Sequence, residues 1–172
     1  MQNHPGSESK KPIEVSLAIL YPDNIKLSLK IPIFLMQLRD DLPNILYPGH
    51  WGLFGGHLDP GEKADVCIHR ELTEEIGRDI SDLKLLKVVE KKNDNIDPRR
   101  NVIVHLFRGV LDVPMSDLIL GEGMDLKLVS PEELRKGEAW SETISETRPM
   151  GDFHRRTLLD FWGDLKSSKL KL

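Results

Sequence analysis

The sequence predicts an α/β domain, and three observations carry that prediction. Apolar runs rich in β-branched residues recur at positions 13–21, 31–38 and 101–111, each of strand length. Across residues 63–76, Ile68, Leu72 and Ile76 stand four apart, a narrow apolar stripe suited to packing a helix on a sheet. Near the end, Leu158, Leu159, Phe161, Trp162 and Leu165 recur at helical spacing and mark a second amphipathic helix over residues 153–165.

Residues 1–11 are small and polar and read as a disordered tail, residues 12–166 as one domain, and residues 167–172 as a frayed tail. The first strand, 13–21, ends at the turn Pro22-Asp23-Asn24, and residues 25–29 alternate with Ile25, Leu27 and Leu29 on one side. Residues 31–38 have the composition of a buried strand, whereas 40–50 carry two prolines and a glycine and read as a loop. Trp51-Gly52-Leu53-Phe54-Gly55-Gly56 then leads to the turn Asp59-Pro60-Gly61, the helix over 63–76, and Gly77 as a left-handed cap.

Beyond the helix, residues 83–91 alternate loosely as a strand, 93–100 form a polar loop, and 101–111 are strongly β-prone. Residues 113–120 read as a short helix or loop, 124–129 as a strand, and Ser130 caps a helix that has Pro131 in its first turn and Glu133 at its third position. Residues 138–150 read as polar and irregular. No repeat or linker divides the chain.

The chemistry concentrates on the first helix. At about 100° per residue, Glu71, Glu74 and Glu75 share one face. Like charges at that spacing repel by a few tenths of a kcal/mol per pair, so a cation is the natural complement. A purely oxygen ligand set suits a hard divalent ion. His57 precedes the helix and His69 lies within it, but neither forms a ligand pair with a cysteine or a second histidine, so no zinc site is read.

Gly56, five residues, Glu62, seven residues, then Arg70-Glu71-Leu72-Thr73-Glu74-Glu75-Ile76-Gly77 resembles the Nudix box, the signature of hydrolases acting on nucleoside diphosphates linked to another group. The preceding Trp51 and paired glycines agree with the family, and one departure stands at Arg78, where an aliphatic residue is usual; Ile80 is placed to supply that contact. The resemblance implies a Nudix-type α/β/α sandwich with a mixed β-sheet between helices. It also implies that Glu71, Glu74 and Glu75, with the Gly55 carbonyl, hold Mg²⁺ or Mn²⁺. Arg70 and Glu62 would form the supporting ion pair. Glu122, between Gly121 and Gly123 in the loop before a late strand, matches the family's further glutamate, which completes the metal site or serves as base; a solvated loop acid is the alternative. The resemblance leaves the base open between Glu71 and Glu122.

Other candidates are weaker. Trp51 and Phe54 could stack on a base or simply pack, and Arg99 and Arg100 could grip phosphate or remain solvated. Arg148, His154, Arg155 and Arg156 gather near the last helix, either as a phosphate contact or as a solvated helix end.

The expected activity is therefore metal-dependent pyrophosphohydrolysis of a small nucleotide: a nucleotide sugar, ADP-ribose, a dinucleoside polyphosphate or a nucleoside triphosphate. The alternative is a catalytically weak nucleotide-sensing or protein-binding module on the same fold. A related isomerase would need a catalytic cysteine, and Cys67 falls inside the helix, where it reads as a buried filler or, alternatively, a reactive thiol. A net charge of -4 argues against binding a nucleic acid polymer. No apolar run reaches bilayer length, the first residues lack a signal-peptide core, and one cysteine fits a reducing compartment, so a cytoplasmic protein without a membrane partner is expected. A homodimer is left open.

Overall fold

The computed structural model describes residues 11–23, 28, 30–31, 33–92, 100–167 and 169–170. Most of the alternating segment at 25–29, most of the loop at 93–100 and most of the N-terminal tail lie outside them. The strands are β1 (Ile13–Pro22), β2 (Phe34–Leu38), β3 (Trp51–Gly52), β4 (Phe54–His57), β5 (Lys84–Lys92), β6 (Asn101–Leu111), β7 (Asp125–Val129), β8 (Glu138–Ser141) and β9 (Glu146–Pro149). The helices are α1 (Ala64–Ile76), α2 (Pro131–Lys136) and α3 (Asp152–Lys166). A single 3₁₀ turn, Met115–Asp117, is all that becomes of the segment read as a short helix or loop.

β1 organises the sheet. It pairs in parallel with β6 along its whole length, from Ile13 opposite Val102 to Pro22 opposite Leu111. It also pairs antiparallel with β2 and β4, and β6 carries the antiparallel edge strand β5. The sheet is therefore mixed. Strand alternation sends Leu17, Ile19 and Tyr21 to one face and Ala18 and Leu20 to the other, and both sets are buried. α1 covers the second face with Ile68, Leu72 and Ile76, while α3 covers the first with Leu158, Phe161, Trp162 and Leu165. An α/β/α sandwich results, as expected.

Local chemistry accounts for the element ends. Gly77 caps α1 in the left-handed region at φ 65°, its N–H donating to the Thr73 carbonyl. Ser130 and Glu133 form a reciprocal capping box on α2. Ile80 is buried in the α1-side core while Arg78 is exposed, so the isoleucine fills the place that the arginine cannot. Residues 138–150 are not irregular: β8 and β9 form an antiparallel hairpin separate from the main sheet. Among the described residues, no helix is long and apolar enough to cross a membrane.

Candidate active site

Two glycines in the middle of β4 bring the acidic helix onto the sheet. Gly55 has φ 120°, and a Cβ there would lie 2.0 Å from the Ser16 carbonyl oxygen, so only glycine fits against β1. A Cβ on Gly56 would lie 2.5 Å from Glu71 Oε1, so the next residue must also be glycine to admit that carboxylate.

The three helix carboxylates meet this loop differently. Glu75 is 3% exposed and points inward, accepting from the Gly55 N–H at 2.8 Å and from Gln37 Nε2 at 2.5 Å. Burial pushes its carboxyl up to about 8, against those two donors, and the nearby Glu71 charge adds to the push. Glu71 is half-buried against Gly56, and its carboxyl is also raised, by burial first and then by Glu74 and Glu122. Glu74 is the outermost, with its side chain 49% exposed.

Arg70 ties the group together. Its Nε and Nη2 donate to the two oxygens of Glu62 at 2.9 Å each, and Nη1 donates to Glu71 at 2.8 Å and Glu74 at 3.3 Å. Nη2 also donates to the His57 carbonyl at 3.2 Å. The guanidinium thus spans loop and helix with the forked geometry that a lysine lacks. It holds the Glu62 carboxyl down to about 2.

Glu122 reaches the same place from another element. The Gly121 N–H donates to the Glu75 carbonyl at 2.9 Å, and a Cβ on Gly121 would fall 1.9 Å from the Glu74 carbonyl oxygen. The loop therefore lies directly on the end of α1, with Glu122 exposed and close enough to influence Glu71. Gly121-Glu122-Gly123 is tied at both ends, since the Gly123 N–H donates to Asp40.

The remaining candidates separate. Trp51 and Phe54 are both 0% exposed, and Trp51 Nε1 donates to the Ala139 carbonyl, so neither ring has a face open to stack on a ligand. Arg99 lies outside the described residues, and Arg100 donates from Nε to the Lys11 carbonyl at 2.8 Å. Arg155 and Arg156 both pair with Asp152 on their own helix, and Arg148 pairs with Asp41 and Glu146. Cys67 is buried, its thiol donating to the Gly56 and His57 carbonyls, and burial pushes it up to about 11, which makes it an unreactive filler.

A cavity of about 460 Å³ touches the other side of the glycine pair. Ile13, Val15, Leu17, Val102 and Val104 line it from the sheet, and Tyr47, Phe153 and His154 from the loop and α3. Gln37, Tyr47 and Phe153 were not singled out as site residues, and His154 only as a member of the basic cluster near the last helix. Gln37 had a signal, a lone amide in an apolar strand, whereas Tyr47 and Phe153 are gathered only by tertiary structure.

Among the described residues no three of His, Cys, Asp and Glu converge on a common point, because Arg70 holds Glu71 while Gln37 and Gly55 hold Glu75. The donor set nevertheless fits a hard divalent ion: it is all oxygen, and Glu71 and Glu75 keep raised carboxyls despite their hydrogen bonds.

The NUDIX domain model matches residues 17–147, and the chain belongs to the Nudix hydrolase family. Nucleoside triphosphatase NudI of Salmonella typhimurium is 25% identical over 100 residues, covering 52% of this chain and 67% of that relative. The MutT protein from Methanosarcina mazei superposes with a TM-score of 0.62 at 21% identity, covering 94% of this chain and 99% of that one. The NUDIX domain of Shewanella oneidensis NrtR, complexed with ADP ribose, gives 0.65 at 15% identity over 95% and 94%. The E. coli dihydroneopterin triphosphate pyrophosphohydrolase gives 0.60 at 17% over 90% and 99%. At such identities the likeness to these structures is one of fold.

Proposed function

We propose that this chain is a metal-dependent pyrophosphohydrolase that cleaves the diphosphate of a nucleoside diphosphate linked to another moiety, in the cytoplasm. One observation carries the reading: Arg70 binds Glu62, Glu71 and Glu74 at once while Gly55 and Gly56 bring Glu75 and Glu71 against the loop. A merely solvated acidic helix would have no use for that bracing.

Glu71, Glu74, Glu75, Glu122 and the Gly55 carbonyl would hold Mg²⁺ or Mn²⁺. Bound there, the ion would neutralise the diphosphate and orient it for in-line attack. The protein's own part begins with Arg70, which fixes the spacing of Glu71 and Glu74 and keeps Glu62 ionised beside the loop. The open backbone at Gly55 and Gly56 lets a phosphate chain approach without a side chain in the way. Either Glu71 or Glu122 would take the proton from the attacking water, and single Glu→Gln variants at each tell them apart by which one loses turnover while still binding Mn²⁺.

The names of the relatives point the same way, since they include a nucleoside triphosphatase, a pyrophosphohydrolase and a domain complexed with ADP ribose. The test is a panel of nucleoside triphosphates, nucleotide sugars, ADP-ribose and dinucleoside polyphosphates, assayed with and without Mg²⁺. Mg²⁺-dependent release of a nucleotide from at least one member is expected. Silence across the panel, with nucleotide binding retained, would favour the sensing module instead.

A further inference from the structure

The cavity beside Gly55 and Gly56 is built for more than a phosphate chain. Its floor runs along β1 from Ile13 to Leu17, about 13 Å at strand rise, with Val102 and Val104 of β6 alongside. Alternation turns all five of those aliphatic side chains to one face. The opposite wall is aromatic: Tyr47 and His154 meet edge to face at 5.4 Å, and Phe153 and His154 do so at 6.0 Å. Lys91 Nζ lies over one face of the Phe153 ring, 4.2 Å from its centre. A flat hydrophobic body entering this space meets a smooth floor and ring walls.

Tyr47 is held there against its own preference. Its φ is 56°, in the left-handed region that glycine occupies freely and a bulky side chain rarely adopts. The loop around it is anchored by backbone hydrogen bonds from Arg39 to His50 and from Gly49 to Asp40, both 3.0 Å. A glycine at 47 would satisfy the turn more easily, so the ring, rather than the backbone, explains the tyrosine.

Charge adds to the shape. Among the described lining residues, Arg39, Lys91, Lys92 and Arg156 outnumber the single acid Asp152, with which Arg156 pairs, in a chain whose net charge is -4. That local excess attracts an anion. A planar ring joined to phosphates satisfies both the aromatic wall and the basic rim.

We propose that Tyr47 and Phe153 are specificity-determining residues that hold the nucleobase of the substrate in this cavity, while its diphosphate lies along Gly55 and Gly56. The assignment rests on the hydrolase reading above for the direction in which the substrate lies. His154 contributes a fixed donor. The Leu53 N–H donates to its Nδ1 at 3.2 Å, so the neutral ring carries its proton on Nε2.

The test titrates AMP, GMP, CMP and UMP into the full chain by calorimetry, which needs neither metal nor turnover. The same proteins are then assayed with a substrate that the wild type hydrolyses. At least one monophosphate should bind, and Tyr47→Gly and Phe153→Leu should weaken it about tenfold or more, the scale of losing a base-stacking ring. KM should rise in step while kcat stays close to wild type. Tyr47→Phe should behave as wild type, and Tyr47→Gly should melt no lower than the wild type. Failure of every monophosphate to bind the wild type, or unchanged binding in both ring variants, would overturn the assignment. Ring-dependent binding without hydrolysis of any panel member would leave the pocket standing and remove the hydrolase reading alone.

Discussion

Arg70 grips Glu62 through both carboxylate oxygens, Nε to Oε1 and Nη2 to Oε2, each at 2.9 Å. The same guanidinium reaches Glu71 and Glu74. A lysine could make one of these contacts but not the fork. Arg70→Lys should therefore lower kcat/KM about 10- to 100-fold, the usual cost of loosening residues that orient a metal's ligands. Steady-state kinetics on the hydrolysed nucleotide checks this, with circular dichroism to confirm an unchanged fold.

Glu75 gives the metal-free protein a pH signature. Its folded carboxyl is raised to about 8, above the ordinary carboxylate value of 4.5, so the folded state holds a proton that the unfolded state releases. The stabilisation is complete below 4.5 and is lost as pH rises through 8. Urea unfolding in EDTA should show wild type losing on the order of a few kcal/mol across that window, while Glu75→Gln stays flatter. Adding Mg²⁺ at pH 8 should restore stability to the wild type and do little for the variant.

The glycines make a steric prediction. A Cβ at position 121 would overlap the Glu74 carbonyl, which is rigid helix backbone. Gly121→Ala should destabilise by about 1–3 kcal/mol and lift Glu122 away from α1, lowering turnover. Gly56→Ala meets the movable end of Glu71 instead, so its melting temperature should change less than its activity. Thermal melts and kcat on both variants separate the two effects.

These elements also show how far a sequence can be read. The helix over 63–76 and the strand over 101–111 were legible because their hydrophobic periods are strong, and local signals marked two helix ends, Gly77 closing α1 and the Ser130 capping box opening α2. The hairpin of β8 and β9 was not, because it stands apart from the main sheet and leaves Trp140 exposed, so no apolar alternation announces it. The shared acidic face was legible, but not its division into an exposed Glu74 and a buried Glu75. That division depends on Gln37 from β2 and Gly55 from β4. The cavity was invisible for a similar reason: the parallel pairing of β1 and β6 joins strands almost ninety positions apart.

His154 supplies an acid-side prediction. It is buried, and that burial, with Arg39 and Lys91 nearby, lowers it to about 3 from the ordinary 6.5. The unfolded chain takes up a proton that the folded chain refuses, so stability is full above 6.5 and declines as pH falls toward 3. His154→Gln should flatten this part of the pH profile measured by urea midpoints, because glutamine has no proton to gain.

Hydrolysis of the nucleotide panel followed by ³¹P NMR, comparing wild type with Glu75→Gln in Mg²⁺ and in EDTA, tests the central claim most directly. The account predicts cleavage of a phosphoanhydride by the wild type in Mg²⁺, none in EDTA, and none by the folded variant in either. Full turnover by Glu75→Gln, or cleavage by the wild type that EDTA leaves untouched, would contradict it.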